Sequence, residues 1–359
     1  MRILYAIQAT GNGHVSRAKT LIPYLQKNYE VDVLLSGTSS DIELGHPITY
    51  KYKGLSFVFG KNGGVNFWQT IRQINFWRFV RDVKQLSLKD YDFVINDFEP
   101  VSACACRFKG KHCIALSHQY SLLSRNAPRP QEKNILSELI LRYYAPTSIG
   151  YGLHFKKYDS NVYLPIIKEE IRTKNPTKKN FYLVYLPSFA DEKIISVLNK
   201  IYNINWIIFS KHTQKKYQIG NIKVYPISSE FFNNKLVECK GVLCGAGFET
   251  PSEALFLKKK LMVIPMKNQY EQQCNAVSLK NMGVQVIYDL NHDMIEVIQN
   301  WTKSKKIINV DYTGTLFTYD ITLPGNTDYY VTLTGNSYQD DDSKFESTTL
   351  STATDWNIH

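Results

Sequence analysis

The chain has 359 residues, of which 43% are hydrophobic and 21% charged, a composition typical of a folded globular protein. Its length predicts about two domains, each long enough to bury a core. No apolar stretch reaches the roughly 18 residues of a membrane-spanning helix, and polar residues follow the apolar start MRILYAI, so we predict neither a transmembrane segment nor a signal peptide. The six cysteines lie in or beside apolar runs, which predicts reduced thiols in a cytoplasmic protein.

The positive charge is unevenly distributed along the chain. The formal net charge is +11, but the segment from Asn309 to the end has eight acidic residues and one lysine, so the first 308 residues carry +18. Such an excess favours an anionic partner, which is a phosphorylated substrate, an acidic membrane surface or a nucleic acid. The sequence has no zinc-finger or RNA-binding signature and no clear basic stripe, so we do not predict nucleic-acid binding.

Strands and helices alternate in both halves of the chain, which predicts parallel sheets covered by helices. The residues Ala18, Leu21, Ile22 and Leu25 have helical spacing after the first strand. The predicted strands are Arg2–Ile7, Val31–Leu35, Asp92–Ile95 and Cys113–Leu116 in the first half, and Phe181–Leu186, Trp206–Phe209, Val224–Tyr225, Gly241–Leu243 and Leu261–Ile264 in the second.

This alternation predicts an α/β protein with two Rossmann-like domains, residues 1–165 and 181–308, joined by a Lys-rich polar linker at 166–180. Residues 309–359 form an atypical acidic tail, which begins with a Thr- and Tyr-rich stretch that we predict to be β-like. Ligands of such domains lie at the carboxyl ends of the strands, so the loops that follow each strand are the candidate sites.

A glycine-rich loop follows the first strand. Gly11, Asn12, Gly13 and His14 resemble half of a dinucleotide fingerprint, but the third glycine is missing and no acidic residue ends the second strand, so we do not predict NAD binding. His14 lies where a helix begins beside an open cleft, and a neutral imidazole there can accept a proton. The loop alone is equally compatible with a tight turn in which the histidine has no chemical role.

A second constellation lies between residues 245 and 276. Backbone N–H groups near Gly247–Pro251, at the start of a predicted helix, are suited to phosphate oxygens. The Glu253 carboxylate can accept two hydrogen bonds from a ribose diol, and Glu271 with Gln272 can bind the hydroxyls of a hexose in the same way. The alternative is that both glutamates only favour the first turns of helices.

These residues resemble the donor-binding signature of GT-B glycosyltransferases, the superfamily of plant secondary-product glycosyltransferases and of the lipid II-forming N-acetylglucosaminyltransferase. The segment Gly247-Phe248-Glu249-Thr250-Pro251-Ser252-Glu253 is similar to the family's Gly-Trp-Asn-Ser-x-x-Glu. Pro265, followed by Glu271-Gln272-x-x-Asn275-Ala276, is similar to its Pro and Asp/Glu-Gln-x-x-Asn-Ala. The resemblance covers roughly residues 1–300 and implies two domains that face a cleft.

The resemblance assigns roles to individual residues. It implies that Glu253 holds the donor ribose, that Glu271 and Gln272 hold the sugar, and that His14 is the catalytic base. We expect Asp97 to orient that base, with Glu99 and His118 as weaker candidates. The implied donor-binding residues are Ser188, Gly245, Gly247, Phe248, Glu249, Thr250, Glu253, Glu271, Gln272 and Asn275, and the acceptor-side loop is Gly11, Asn12 and Gly13.

The implied activity is inverting transfer of a sugar from a nucleoside-diphosphate sugar, with UDP as the favoured nucleotide, to a glycan, lipid-linked or small-molecule acceptor. No metal or other cofactor is expected. The plant signature has a histidine where this chain has Gly245, so backbone or lysine contacts to phosphate must replace that side chain. The alternatives are a sugar-nucleotide 2-epimerase, against which Glu271-Gln272-x-x-Asn-Ala argues, and a non-catalytic sugar-nucleotide binder.

An aromatic and basic stretch, Asn66–Arg81, has helix-like spacing and contains Trp68 and Trp77. It either contacts an anionic membrane or a lipid-linked acceptor, or forms an amphipathic helix packed on the sheet. The first alternative predicts peripheral attachment to the inner face of the membrane.

Overall fold

The computed structural model describes residues 1–37, 43–55, 75–132 and 134–312. These residues form two seven-stranded sheets, one from each half of the chain, with helices packed against them. The two-sheet α/β architecture predicted from the alternating pattern is therefore confirmed.

The first sheet is parallel in all its described strand pairs. Its order is β3-β2-β1-β4-β5-β6-β7, so the direction of winding reverses between β1 and β4. The strands are β1 (Arg2–Gln8), β2 (Glu30–Ser36), β3 (Tyr50–Tyr52), β4 (Phe93–Asp97), β5 (Cys113–Ser117), β6 (Ile149–Leu153) and β7 (Val162–Tyr163). The four predicted strands occupy the centre, and the three that were not predicted are short or lie toward the edges.

The described helices of this half include one after β1, which buries the apolar face that its spacing predicts. They are α1 (Asn12–Leu25), α2 (Phe76–Gln85), α3 (Pro100–Lys109), α4 (His118–Ser121) and α5 (Ile135–Tyr143). In α1, Ala18, Leu21, Ile22 and Leu25 are at most 3% exposed, because a spacing of three and four residues places them on one face toward the sheet.

The second sheet has the order β10-β11-β9-β8-β12-β13-β14 and reverses between β8 and β12. Only β10, which pairs with β11, is antiparallel among the described strands. The strands are β8 (Tyr182–Tyr185), β9 (Trp206–Ser210), β10 (Tyr217–Ile219), β11 (Ile222–Pro226), β12 (Gly241–Gly245), β13 (Lys260–Ile264) and β14 (Gln285–Val286). The helices from the connection onward are α6 (Glu169–Arg172), α7 (Asp191–Leu198), α8 (Ser229–Glu238), α9 (Glu249–Phe256), α10 (Tyr270–Asn281) and α11 (Ile295–Lys303).

The Lys-rich connection at 166–180 is partly helical and partly buried, unlike the exposed polar linker that its composition predicts. It contains the short helix α6, and Ile166, Ile167 and Ile171 are almost fully buried. Because these isoleucines join the main apolar core, the connection is part of the packed body rather than a loose tether.

The end of the described chain also packs against the first half. Tyr312 is 2% exposed, and its hydroxyl donates a hydrogen bond of 3.0 Å to the Phe155 carbonyl. The change of composition at Asn309 therefore does not coincide with the end of the packed body. The rest of the predicted tail, residues 313–359, lies outside the described residues, as do 66–74 of the aromatic and basic stretch.

None of the described helices is long and apolar enough to cross a membrane. All six cysteines are unbonded thiols, and all but the half-buried Cys104 are buried, as predicted.

Candidate active site

The site lies where the reversal points of the two sheets face each other. In doubly wound sheets the loops diverge at this point and leave a crevice at the carboxyl ends of the strands. In the first sheet, β1 and β4 pair with Ile7 opposite Asp97, so the loop after β1 and the end of β4 are adjacent. In the second sheet, β8 and β12 pair side by side, which brings their following loops together in the same way.

His14 and Asp97 meet at the end of the first sheet. His14 is in the first turn of α1, and its Nδ1 lies 2.8 Å from Oδ1 of the fully buried Asp97. His14 Nδ1 also lies 3.1 Å from Nη2 of Arg17. In the tautomer with its proton on Nδ1, the ring donates to Asp97 and its lone pair is on Nε2. Burial raises the pKa of Asp97, but the charges of Arg17 and His14 outweigh it and hold this pKa below its ordinary value.

Arg17 lies one helical turn after His14 and is 3% exposed. Its Nε and Nη2 donate hydrogen bonds of 3.0 and 2.8 Å to the two oxygens of Asp97, and its Nη1 pairs with Glu249 in the second half of the chain. The guanidinium therefore keeps Asp97 ionised and links the pair of His14 and Asp97 to the start of α9.

Glu249 is the first residue of α9 and packs against the glycine loop. A Cβ atom at Gly13 would lie 3.4 Å from the Glu249 side chain, so the two halves of the chain touch here. Burial raises the pKa of Glu249 to about 7, with the attraction of Arg17 opposing this shift and the nearby Glu253 adding to it.

Gln119, the second residue of α4, links the base to the second half of the chain. Its Nε2 lies 3.3 Å from His14 Nε2 and donates a hydrogen bond of 2.9 Å to Oε2 of Glu271. Gln119 is 5% exposed, and its Oε1 is buried and accepts no hydrogen bond from the described residues. A chain of contacts thus runs from Asp97 through His14 and Gln119 to Glu271.

A cavity of about 140 Å³ opens beside this chain. Its polar wall includes His14, Gln119 and Glu271, and its apolar wall is made of Phe98, Ile140, Leu141 and Tyr144. Phe98 has a φ of 57°, a conformation that is unfavourable for a bulky residue, and its ring stacks on Tyr144 at 4.9 Å. The strained residue thus lies close to His14, and strained backbone conformations are common at functional sites.

The loop after β12 forms the second-sheet side of the site. The space beside Gly247 is open, since an added Cβ would meet no described atom within 4 Å. Thr250 and Ser188 are half-buried, and Ser188 lies in the neighbouring loop after β8. Gly245 faces Gln272, whose Oε1 accepts a hydrogen bond of 3.0 Å from the Met266 backbone.

Glu253 lies one turn into α9 and is 1% exposed. Lys168 Nζ lies 2.9 Å from its Oε1, but neither carboxylate oxygen has a well-directed hydrogen bond within the described part of the chain. Burial lowers the pKa of Lys168, but the charge of Glu253 outweighs it and raises this pKa above its ordinary value. Glu253 thus has a cationic partner beside Oε1, while Oε2 has no partner among the described residues.

Two of the predicted donor contacts, Asn275 and Phe248, have buried side chains that contact other parts of the protein. Asn275 is fully buried, donates to the Ala246 carbonyl and lies 2.8 Å from the ring of His118, so it positions the loop after β12. The Phe248 ring is 5% exposed and stacks on His118 at 4.1 Å. Both side chains support the site from behind.

The two weaker candidates for orienting the base also have structural roles. His118 Nδ1 lies 2.7 Å from the Leu153 carbonyl, and burial lowers its pKa. Glu99 is the N-cap of α3 and accepts hydrogen bonds from the backbone of Val101 and Ser102. Neither residue contacts His14 in the described hydrogen-bond network, and Asp97 does.

Sequence reasoning missed Arg17, Gln119 and Lys168. The only local signal for Arg17 is its spacing of three residues from His14, which places both on one helical face. Gln119 follows a predicted strand end, as Asp97 does, and that position was the available signal. Lys168 lay in the stretch that was read as a linker.

Two Rossmann-like sheets that face each other across such a cleft define the GT-B class of fold. A family model described as glycosyl transferase family 1 matches residues 1–304. The chain therefore belongs to glycosyl transferase family 1, and it is a sugar-transferring enzyme.

Solved structures support the fold at low sequence identity. MurG of Acinetobacter baumannii is 14% identical, with a TM-score of 0.53 over 85% of this chain and 91% of that one. The spinosyn rhamnosyltransferase SpnG, complexed with thymidine diphosphate, is 12% identical, with a TM-score of 0.54 over 85% and 92%. UGT2 of Phytolacca americana, complexed with UDP-2fluoro-glucose and pterostilbene, is 14% identical, with a TM-score of 0.53 over 84% and 90%. No curated protein matches the chain at a significant level.

Proposed function

We propose that this glycosyltransferase moves a sugar from a UDP-sugar to a hydroxyl group of an acceptor, with inversion at the anomeric carbon and without a metal ion. The observation that carries the proposal is the bond from His14 Nδ1 to Asp97, which leaves the basic Nε2 at the cavity between the two sheets. A base that is oriented by a buried carboxylate is the arrangement that general-base chemistry requires.

The reaction is a direct displacement. His14 Nε2 accepts the proton of the acceptor hydroxyl while the acceptor oxygen bonds to the anomeric carbon. The bond from that carbon to the phosphate oxygen breaks, and its electron pair leaves with UDP. Asp97 stabilises the imidazolium that forms, and Arg17 keeps Asp97 ionised so that it does not take the proton itself.

On the donor side, Glu253 is proposed to bind the ribose diol. Apart from the Lys168 ammonium beside Oε1, its buried carboxylate oxygens have no hydrogen-bond donor among the described residues, and two hydroxyls would supply donors. The diphosphate would lie along the open backbone at Gly247, near Ser188 and the N-terminus of α9. Glu271 and Gln272 would hold the sugar beside the base.

The acceptor is proposed to be an alcohol that carries an apolar group. This follows from the cavity, in which the base faces a wall of Phe98, Ile140, Leu141 and Tyr144. Glycan, lipid-linked and small-molecule acceptors remain the candidate classes, and the apolar wall favours the last two.

The test is a thermal-shift panel of UDP-, GDP- and dTDP-sugars, followed by transfer assays with NMR of the product anomer, with and without EDTA. We expect a UDP-sugar to raise the melting temperature most, an inverted product, and no effect of EDTA. A retained configuration would contradict the displacement mechanism, and release of a 2-epimer of the donor sugar without transfer would instead identify an epimerase.

We also propose that α2 contacts an anionic membrane as a peripheral anchor of a cytoplasmic enzyme. Phe76 and Trp77 are 61% and 82% exposed, and Arg78 and Arg81 follow them on the same helix. Co-sedimentation with phosphatidylglycerol vesicles should decrease in Trp77→Ser and not in Tyr202→Ser, a control at an aromatic residue that is 79% exposed in the second half. Equal binding of both variants would contradict the anchor.

A further inference from the structure

The contacts of Gln119 fix the orientation of its side-chain amide. The Glu271 carboxylate accepts hydrogen bonds and cannot donate one when ionised, so the NH2 group of Gln119 must be the end that faces it. The same nitrogen lies 3.3 Å from His14 Nε2, which carries the lone pair in the tautomer where Nδ1 donates to Asp97. Both amide hydrogens of Gln119 therefore have acceptors.

The other end of the same side chain is unsatisfied. Gln119 Oε1 is buried and accepts no hydrogen bond within the described ranges, although Gln119 lines the cavity beside the base. A buried carbonyl oxygen without a donor costs free energy, and such groups in native proteins call for an explanation. A hydroxyl group that enters the cavity would supply the missing donor.

We propose that Gln119 is a substrate-positioning residue, in which Oε1 accepts a hydrogen bond from a substrate hydroxyl. The inference rests on the proposed function, because it places this hydroxyl between the base and the carboxylate that would hold the sugar. Glu271 anchors the amide from the second sheet, so the carbonyl oxygen is held in a fixed direction. The weak 3.3 Å contact to His14 Nε2 is the one that the reacting hydroxyl replaces.

The hydroxyl can come from the transferred sugar or from the acceptor. Gln119 lies between Glu271, which is proposed to hold the sugar, and His14, which is proposed to deprotonate the acceptor. The two sources are separated by measuring binding and transfer independently. The variants are Gln119→Leu, which removes Oε1, and Gln119→Asn, which keeps both ends of the amide on a side chain that is one methylene group shorter. Gln85→Leu, at an exposed glutamine near the end of α2, is the matched control.

Dissociation constants are measured by calorimetry for UDP, UDP-glucose and UDP-N-acetylglucosamine, and kcat and KM are measured for transfer to 4-methylumbelliferone and for hydrolysis by water. UDP lacks the sugar, so its affinity should stay within about twofold in every variant. If the sugar is the source, Gln119→Leu weakens UDP-sugar binding about tenfold. If the acceptor is the source, UDP-sugar binding is unchanged and the KM for the acceptor rises about tenfold.

Gln119→Asn should be less affected than Gln119→Leu in whichever quantity changes, because it retains a carbonyl oxygen. If the Asn variant is the more damaged, a carbonyl oxygen at this position is not what matters and the proposal is overturned. The proposal also fails if Gln119→Leu leaves both UDP-sugar binding and acceptor KM within twofold of the native protein. If the native protein binds neither UDP nor a UDP-sugar and transfers no sugar, it is the proposed function that fails.

A general loss of folding is excluded by the melting temperature of each variant. If Gln119→Leu does not fold, Gln119→Asn still tests the proposal, because its UDP-sugar affinity or its acceptor KM should change while its UDP affinity does not.

Discussion

The two sides of the cleft differ in how completely their polar groups are satisfied. On the first-sheet side, both oxygens of Asp97 accept hydrogen bonds, and Arg17 and His14 are the donors. On the second-sheet side, both oxygens of Glu253 lack well-directed donors among the described residues, and the space beside Gly247 is open. The base is preorganised by the protein itself, and the donor side has groups that a ligand would complete.

The largest expected effect is on kcat, at the base His14 on the first-sheet side of the cleft. His14→Ala removes the base, and general-base catalysis contributes about 10²–10⁴-fold, so kcat should fall by about 10³-fold. UDP-sugar affinity should be nearly unchanged. The measurement is steady-state transfer, with His292→Ala, at an exposed histidine far along the chain, as control. Near-normal turnover would remove His14 from the mechanism and leave a sugar-nucleotide binder as the better description.

Arg17→Gln should be the most destabilising of the proposed substitutions. It leaves the buried Asp97 without its cationic partner, and breaking a buried ion pair in this way costs about 3–5 kcal/mol. The free energy of unfolding from urea titration measures this loss. Arg142→Gln, at an exposed arginine near the end of α5, should change it by less than about 0.5 kcal/mol. Equal stability of the two variants would mean that Asp97 is satisfied without Arg17.

Glu249 links the two sides and should give a pH-dependent stability. Its pKa is about 7 in the folded protein against an ordinary 4.5, so the native state holds a proton that the unfolded state releases. The folded state therefore loses stability as pH rises from about 4.5 to about 7, by roughly 1–3 kcal/mol.

Glu249→Gln removes this loss, so the variant should gain stability relative to the native protein over the same pH range. Melting temperatures between pH 4.5 and 8 measure the difference. Parallel curves for the two proteins would show that Glu249 stays ionised beside Arg17.

The smallest expected effect is on nucleotide affinity, at Glu253 on the second-sheet side of the cleft. If Glu253 binds the ribose diol, the native protein should bind UDP about tenfold more tightly than 2′,3′-dideoxy-UDP. Glu253→Gln should bind the two nucleotides with nearly equal affinity, as measured by calorimetry. A preference that persists in the variant would assign the ribose to another residue and would leave Glu253 as a partner of Lys168 alone.

Much of the fold was predictable because its signals are local. Alternating apolar runs and helical spacing predicted the central strands of both sheets and the buried face of α1, since these patterns reflect burial of neighbouring residues. The edge strands β7 and β14 have two residues each, too few for a pattern to be recognised. The burial of three isoleucines in the connection at 166–180 was not predicted, because they lie among lysines and glutamates.

The sequence by itself predicted His14 and Asp97 at strand ends, and its resemblance to the GT-B glycosyltransferases added Glu271 to the same predicted cleft. The tertiary structure alone decided that Arg17 pairs with Glu249, 232 residues away, that Gln119 pairs with Glu271, 152 residues away, and that Asn275 is buried behind its loop. The physical reason is that these contacts form where the two sheets face each other. A local pattern records which face of an element is apolar and carries no information about which polar side chains meet across an interface.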